Sequence, residues 1–263
     1  MSIMIELKNK WVLITGASSG FGAAAALKFA KLNSNLILGA RRLDRLKNVA
    51  KQAMDAGAPE AFAFYLDVSS TTSVNEFVIN LKDKTDRIDV LINNAGGAHG
   101  LDPIKEGIDS DWENMIQSNV LGLLRMTRAI LPFMPHNAGA TIINVGSVAG
   151  HTAYEGGAVY CGCKAAVRQI SKALRLELCG TGIRVCELDP GMAETEFSIV
   201  RFKGDIARAQ KVYEGVQPLT ADDIAETMVW IATRPNHVCI DEILIKPTDQ
   251  AEIYKVYRRM NQK

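Results

Sequence analysis

Short apolar segments alternate with longer amphipathic segments along the whole chain. Seven of the short segments are rich in valine, isoleucine and leucine and are mostly apolar, which is typical of strands buried on both faces. They span residues 11–14, 35–38, 61–66, 88–92, 141–145, 183–188 and 240–245. Because such strands form parallel sheets that need helical crossovers, the pattern predicts an α/β fold.

Six segments between the predicted strands carry apolar residues at helical spacing. They span residues 21–32, 43–56, 74–81, 112–131, 159–178 and 222–233. Ser73 and Thr220 precede acidic residues and are predicted N-caps. No linker or low-complexity break interrupts this order, so we expect residues 1–263 to form a single doubly wound domain of the Rossmann type.

The composition is that of an ordinary globular domain. The chain has 263 residues, of which 48% are hydrophobic and 22% charged, with 30 basic and 29 acidic side chains. A chain of this size buries about three quarters of its surface on folding, so its stability requires neither a metal nor a disulfide. The balanced charge gives no general attraction to nucleic acid or to anionic membranes, which favours small-molecule chemistry.

The cysteines and the N-terminal residues predict the cellular compartment of the protein. The chain has five cysteines and no Cys-x-x-Cys knuckle, and its four histidines share no ligand spacing, so we expect a reducing compartment and no metal site. Residues 1–11 carry Glu6, Lys8 and Lys10 without the apolar core of a signal peptide. No run approaches the roughly eighteen apolar residues of a membrane span. These features predict a soluble cytoplasmic protein.

A glycine-rich turn follows the first predicted strand and opens an alanine-rich helix. The segment is Thr15-Gly16-Ala17-Ser18-Ser19-Gly20-Phe21-Gly22. A dinucleotide pyrophosphate needs a close approach to the backbone and a helix N-terminus directed at it, and glycines permit both. The spacing is Gly-x-x-x-Gly-x-Gly rather than Gly-x-Gly-x-x-Gly, and a purely structural turn is the alternative interpretation.

The end of the second predicted strand indicates which nucleotide is preferred. It reads Gly39-Ala40-Arg41-Arg42, and the next acid, Asp44, already lies inside a helix. A carboxylate here would bind a free ribose 2′-hydroxyl, whereas guanidinium groups match the geometry of a 2′-phosphate. The two arginines therefore favour NADP(H) over NAD(H), with a solvated helix start as the alternative.

Candidate catalytic groups lie on one predicted helix and directly after the fifth predicted strand. Tyr160 and Lys164 lie one helical turn apart, and Ser147 follows the fifth predicted strand. A carbonyl oxygen that receives a hydride must be protonated, and tyrosine is a suitable acid. Lowering the tyrosine pKa from about 10 to about 7 requires roughly 4 kcal/mol of phenolate stabilisation, much of which Lys164 is expected to supply. Ser147 is expected to donate to the substrate oxygen.

In combination these motifs resemble the short-chain dehydrogenase/reductase family over essentially the whole chain. They are the glycine turn, Asn93-Asn94-Ala95-Gly96, Asn119, Ser147, Tyr160-x-x-x-Lys164 and Pro190-Gly191. The resemblance implies a sheet of order 3-2-1-4-5-6-7 and Tyr160 as general acid/base. It also implies that Lys164 and Ser147 support Tyr160 and that Asn119 holds a proton-relay water. Phe21 and Cys163 depart from the residues usual in the family.

The resemblance implies a set of cofactor contacts as well. They are Gly16, Ser18, Ser19, Gly20, Phe21, Gly22, Asp67, Val68, Asn93, Ala95, Gly96, Tyr160, Lys164, Pro190, Gly191 and Thr195. For Asp67 a turn-capping role is the alternative.

Residues 194–205 and the tail at 247–250 resemble the NADP-dependent serine, allo-threonine and 3-hydroxy-acid dehydrogenases of this family. The resemblance implies a small substrate that carries an acid group, bound by Ser147 and Tyr160. A cation in the substrate loop at about 192–215 is then required, and Arg201 or Lys203 is predicted to supply it. The tail at about 246–263 is expected to pack on a neighbouring subunit of a homotetramer.

Two other functions remain open from the sequence. A reductase of a sulfonated aldehyde or a neutral ketone would use the same catalytic groups. A non-catalytic NADP-binding regulator would keep the glycine turn but would have no need for Ser147, Tyr160 and Lys164 together.

Overall fold

The computed structural model describes residues 5–259, which form one seven-stranded parallel sheet. The strands lie in the order β3-β2-β1-β4-β5-β6-β7, as predicted. They are β1 (Trp11–Thr15), β2 (Asn35–Ala40), β3 (Ala61–Tyr65), β4 (Val90–Asn93), β5 (Thr141–Val145), β6 (Arg184–Pro190) and β7 (Glu242–Ile245). The order in which the strands are added changes direction between β1 and β4. This position is the switch point at which doubly wound sheets bind ligands.

Nine α-helices connect or flank the strands in the described residues. They are α1 (Gly20–Ala30), α2 (Leu43–Asp55), α3 (Thr71–Lys82), α4 (Asp109–Ile116), α5 (Gly122–Ile130), α6 (Ala158–Glu177), α7 (Phe197–Arg201), α8 (Ile206–Lys211) and α9 (Ala221–Ala232). Short 3-10 turns occur at Ile104–Glu106, Leu131–Phe133 and Val148–Gly150. A π-helical turn at Gln117–Leu121 joins α4 to α5.

The central strands of the sheet are covered on both faces, which explains why they are mostly apolar. Val12 and Ile14 pack in a cluster with residues of α1, α2 and α9, whereas Leu13 between them packs with residues of α3, α5 and α6. Successive side chains of a strand point to opposite faces of the sheet. In a strand that is buried on both faces, apolar and polar residues therefore do not alternate.

Two helix details differ from the expectation. The predicted helix at 112–131 is divided by the π-helical turn, and the N-cap of α3 is Ser70 rather than Ser73. The N–H of Ser73 donates to Ser70 Oγ over 3.2 Å, while Ser73 Oγ accepts from the N–H of Asp67 over 3.0 Å. Thr220 is an N-cap as predicted, in a reciprocal capping box with Asp223.

The substrate loop predicted at 192–215 contains the short helices α7 and α8, which its sequence did not reveal. All five cysteines are free, and Cys161, Cys163 and Cys186 are buried. Within residues 5–259, none of the helices has the length and apolar character needed to cross a membrane.

Candidate active site

A cleft with a volume of about 860 Å³ opens at the carboxyl edge of the sheet. The cleft brings together most of the residues predicted from sequence. Those lining it are Gly16, Ser18, Ser19, Gly20, Phe21, Arg41, Arg42, Asp67, Val68, Ala95, Gly96, Ser147, Tyr160, Lys164, Pro190, Gly191, Thr195 and Arg201. Asn93, Gly22, Asn119 and Lys203 are not part of its lining.

The glycine turn after β1 is built for close backbone approach. Gly16 and Gly20 have positive φ angles of 67° and 54°. A Cβ on Gly16 would lie 2.9 Å from the Cα of Ala95, and one on Gly22 would lie 2.6 Å from the carbonyl oxygen of Gly16. Gly22 therefore allows α1 to pack against the turn, although it does not face the cleft.

The N-terminus of α1 fits a dinucleotide pyrophosphate. Its N-cap, Ser19, makes no side-chain capping bond, and the first turn contains no acidic residue. The first N–H groups of the helix and the positive end of its dipole are thus left for an anion in the cleft.

Arginines gather at the end of the cleft beside β2 and α2. Arg42 donates to Ser18 Oγ (3.3 Å), to Ser19 Oγ (2.6 Å) and to Glu196 Oε2 (2.8 Å). Arg45, which the sequence did not single out, donates to Glu196 Oε1 over 2.8 Å. The two guanidinium groups hold the pKa of Glu196 below its usual range. Arg41 is exposed at the cleft.

The side chain of Asp67 forms the turn predicted as its alternative role. Its Oδ1 accepts from the backbone N–H of Ser69 (3.0 Å) and from its hydroxyl (2.6 Å). Asp67 and Val68 also line the cleft, so both roles are compatible.

Asn93 does not reach the cleft. It is buried and donates to Thr127 Oγ1 and to Asn144 Oδ1, both over 2.9 Å. The adjacent Asn94 lines the cleft instead, and its side chain donates to the carbonyl oxygen of Thr15 (2.9 Å). Asn93 is the last residue of β4, and its side chain links this strand to β5 and α5, while its contact with the cofactor stays a prediction.

Tyr160 lies in the first turn of α6, with 8% of its surface exposed. Burial raises the pKa of Tyr160 well above its ordinary value, while the neighbouring Ser147 and the charge of Arg201 partly oppose the rise. The pKa near 7 expected from sequence is therefore not reached here, because the loss of solvation outweighs the neighbouring donors and the cation. At neutral pH the phenol retains its proton.

Lys164 is buried beside Tyr160. Its Nζ lies 5.7 Å from the centre of the Tyr160 ring and donates to the carbonyl oxygen of Val145 over 2.9 Å. Burial lowers the pKa of Lys164 to about 8, and the nearby Asp189 opposes this change. Lys164 thus titrates close to physiological pH.

Asn119 lies in the π-helical turn and anchors the segment that follows β4. Its Nδ2 donates to the carbonyl oxygens of Gly97 and Met115, both over 2.8 Å, and its Oδ1 accepts from the N–H of Gly97 over 3.2 Å. A π-helical turn is common at functional sites. In the described contacts Asn119 shapes the backbone beside the cleft, and its role with a relay water stays a prediction.

Arg201, on α7, is the cation of the substrate loop that reaches Tyr160. Its guanidinium carbon lies 5.8 Å from the centre of the Tyr160 ring and 5.3 Å from that of Tyr154. Its Nε donates to the carbonyl oxygen of Gly100 (3.0 Å), and the N–H of Gly100 donates back to its carbonyl oxygen (2.9 Å). Lys203 instead forms an ion pair with Asp111 over 2.8 Å.

The tail contributes residues to the cleft that the sequence did not identify. Gln250, Ile253, Val256 and Arg258 line it, and Gln250 Oε1 accepts from the N–H of Met192 over 2.8 Å. Up to residue 259 the tail contacts its own substrate loop. Its predicted contact with a neighbouring subunit stays a prediction.

A group of titratable side chains lies behind Ser147. Nε2 of His151, Oδ2 of Asp189 and Oε1 of Glu242 lie within 4.8 Å of one another. Asp189 contacts His151 over 2.8 Å, and Arg168 donates to Glu242 over 3.1 Å. These contacts satisfy the group without an ion, and the sequence expectation of no metal site stays a prediction.

Comparison with known proteins gives consistent results. A family model described as short chain dehydrogenase matches residues 10–205. The chain is 43% identical to an NADP-dependent 3-hydroxy acid dehydrogenase of Schizosaccharomyces pombe, over 97% of this chain and 99% of that protein. It is 45% identical to a sulfoacetaldehyde reductase of Chromohalobacter salexigens, over 91% of this chain and 94% of that protein. A solved closed form of serine dehydrogenase complexed with NADP+ matches with a TM-score of 0.88 and 39% identity, over 95% of this chain and 100% of that one.

The position of Arg41 predicts a test of nucleotide preference. Arg41→Ala is expected to raise the KM for NADPH about tenfold or more, because a charge-assisted hydrogen bond to phosphate contributes about 1.5–3 kcal/mol. The KM for NADH should change little. Steady-state kinetics with both nucleotides measures the effect, and Arg128→Ala, an exposed arginine of α5 outside the cleft, is the control. Equal changes with NADPH and NADH would contradict the assignment.

Proposed function

The chain belongs to the short-chain dehydrogenase family, and on that basis we propose that it interconverts a small 3-hydroxy acid and the corresponding carbonyl compound. It is an oxidoreductase of CH–OH groups that uses NADP(H). When bound, the nicotinamide supplies or accepts the hydride. The glycine turn and the N-terminus of α1 would hold its pyrophosphate, and Arg41 and Arg42 its 2′-phosphate.

Tyr160 is suited to act as the acid in carbonyl reduction. Its raised pKa keeps the hydroxyl protonated at neutral pH, and the proton passes to the substrate oxygen as charge develops there. Ser147, which lines the same cleft as Tyr160, would donate to that oxygen. In the oxidation direction Tyr160 must first lose its proton, and the nearby ammonium group of Lys164 stabilises the phenolate.

The observation that carries the substrate proposal is the position of Arg201. In a 3-hydroxy acid only one carbon separates the reacting carbon from the carboxylate, so the carboxylate must bind close to the general acid. Arg201 lies 5.8 Å from the Tyr160 ring, and its contacts with Gly100 fix its orientation. A guanidinium held in this way offers two further nitrogens for a bidentate contact with a carboxylate.

A substrate with an amino group would need a carboxylate in the cleft to bind its ammonium group. The described residues lining the cleft include two carboxylates, Asp67 and Glu196. Asp67 accepts from Ser69, and Glu196 is paired with Arg42 and Arg45. Glu196 therefore has no oxygen free for the ammonium group of serine, and Asp67 already has one oxygen engaged by Ser69. This favours hydroxy acids without an amino group, such as 3-hydroxypropionate and 3-hydroxyisobutyrate, over serine and allo-threonine.

A sulfonated aldehyde is the second candidate substrate. A sulfonate one carbon from an aldehyde occupies the same relative position as the carboxylate of a 3-hydroxy acid, and a guanidinium binds either anion. The 45% identity to a sulfoacetaldehyde reductase supports this alternative specifically. A neutral ketone would leave Arg201 without a partner in the cleft and is less well supported.

We also propose that the protein is a homotetramer. Apolar side chains are exposed on opposite faces of the sheet, with Ile116 and Leu124 in the α4 to α5 segment and Trp230 on α9. Apolar side chains exposed on both sides of the sheet are compatible with the two kinds of two-fold interface that a tetramer requires. Sedimentation equilibrium is expected to give about four times the mass of the chain, and a monomer would contradict the proposal.

Removing the phenolic hydroxyl tests the chemistry directly. Tyr160→Phe is expected to reduce kcat by about 100-fold or more, because general acid/base catalysis contributes about 100-fold to 10,000-fold. NADPH binding, measured by fluorescence titration, should persist since the nucleotide cradle is unchanged. Substantial residual turnover would rule out Tyr160 as the acid.

A substrate panel combined with two loop variants tests the anion site. With NADP+, we expect lower KM values for 3-hydroxypropionate and 3-hydroxyisobutyrate than for serine or the threonine isomers. Arg201→Ala should raise these KM values about tenfold or more, because it removes a charge-assisted hydrogen bond. Lys203→Ala, which alters a cation already paired with Asp111, is the matched control and should change them little.

Two outcomes of the panel would change the assignment. Preference for a sulfonated analogue over all the carboxylates would favour the second candidate. If Arg201→Ala leaves every KM unchanged, the anion binds elsewhere in the cleft.

A further inference from the structure

The carboxyl group of Asp189 holds both ends of the turn that carries Ser147. Its Oδ1 accepts from the backbone N–H of Ser147, and its Oδ2 contacts Nε2 of His151, each over 2.8 Å. Asp189 has no exposed surface (0%), so neither contact is exchanged with water. The position of the Ser147 hydroxyl therefore depends on this carboxyl group.

A second buried acid, Glu187, lies beside Asp189 on β6. Glu187 lies two residues before Asp189, so both side chains point to the same face of the strand, and 1% of the surface of Glu187 is exposed. The space in front of both acids is available because residue 146 is glycine. A Cβ there would lie 1.8 Å from Asp189 Oδ1 and 2.8 Å from Glu187 Oε1. Two ionised carboxyl groups in one buried space would repel each other, so we expect one of the two acids to hold a proton.

The hydrogen-bond partners indicate which acid holds the proton. Asp189 is satisfied as a carboxylate, because it accepts from Ser147 and contacts His151. Oε1 of Glu187 is buried and faces no hydrogen-bond donor among the described residues. Burying a carboxylate oxygen without a hydrogen-bond donor costs much free energy. Burying the carbonyl oxygen of a neutral carboxylic acid without a donor costs less. The proton therefore belongs on Glu187 and the negative charge on Asp189.

Charged groups from every neighbouring element face this pair. They are His151 after β5, Lys164 and Arg168 on α6, and Glu242 on β7. Arg168 is paired with Glu242, and Glu187 is neutral in this assignment. Asp189 is then the principal negative charge acting on the buried ammonium group of Lys164.

We propose that Asp189 is a positioning residue for the reaction, holding Ser147 in place and providing the negative charge that keeps Lys164 protonated, while Glu187 carries the proton that the two acids share. The proposal rests on the proposed function for the role of Lys164, but the protonation of Glu187 is independent of it.

Burial and the charge of Asp189 change the pKa of Lys164 in opposite directions, and this determines how activity depends on pH. Burial lowers the pKa of Lys164 to about 8, and Asp189 counteracts that change. Removing the charge of Asp189 must lower the pKa of Lys164 further. The protonated amine that stabilises the Tyr160 phenolate is then lost at a lower pH. Replacing Glu187 with a neutral amide removes no charge and should leave this pKa nearly unchanged.

Infrared spectroscopy of the protein without substrate or nucleotide tests the protonation assignment. The wild-type protein at pH 7 is expected to show the C=O stretch of a protonated, buried carboxylic acid. The band should be missing in Glu187→Gln and present in the control variant Glu60→Gln, which replaces an exposed acid. Absence of the band in the wild type, or its persistence in Glu187→Gln, would overturn the assignment whatever the enzyme's substrate.

The pH profile of kcat/KM for alcohol oxidation tests the positioning role. In Asp189→Asn the alkaline limb should move down by about one pH unit or more, since an adjacent opposite charge shifts a pKa by about 1–3 units. Glu187→Gln should keep the wild-type limb. The amide of Asn can still accept from Ser147, and His151 can change tautomer to accept from it. Circular dichroism and the melting temperature verify folding.

Two results of the kinetic test would overturn the proposal. One is an unchanged alkaline limb in a folded Asp189→Asn variant, and the other is a larger shift in Glu187→Gln than in Asp189→Asn. If Asp189→Asn does not fold, the infrared band and the Glu187→Gln profile still decide between the two protonation assignments. A protein that turns over no alcohol but shows the expected band would refute the proposed function and leave the protonation of Glu187 standing.

Discussion

The burial of a phenol beside an ammonium group is the constraint on which the site depends. Removing Tyr160 and Lys164 from water disfavours the charged form of each, so the tyrosine pKa rises and the lysine pKa falls. Neither residue would work if solvation alone set its state. The surrounding groups compensate in part. Ser147 and Arg201 act on the phenol, while the carbonyl oxygen of Val145 and the charge of Asp189 act on the amine.

The regular elements could be predicted because the central strands are buried on both faces and each main helix has one apolar face. The sheet order came from the family resemblance and is confirmed. The split of the helix at 112–131 could not be predicted, since a π-helical turn has no distinct apolar period. The pairing of Lys203 with Asp111 was equally hidden, because these residues are far apart in sequence.

Within the site, the sequence motifs predicted the positions of the backbone turns. They predicted less well which individual side chains face the cleft. Asn93 and Asn94 are adjacent, and strand alternation sends the first into the interior and leaves the second at the cleft. Tyr154 lies beside Arg201 but belongs to no motif that the sequence analysis used. Glu196 and Arg45 meet across the cleft entrance from segments far apart in the chain, and sequence spacing carries no information about such pairs.

The fold of the tail has a consequence for the substrate loop. Arg258 donates to the carbonyl oxygens of Val212 and Glu214, and Arg259 pairs with Asp249 and donates its N–H to Gly215. These bonds attach the carboxyl-terminal segment to the loop that carries Arg201. A change that disturbs Arg258 or Arg259 would therefore also disturb the loop, whereas Ile5, which bonds to Thr233, lies away from the cleft.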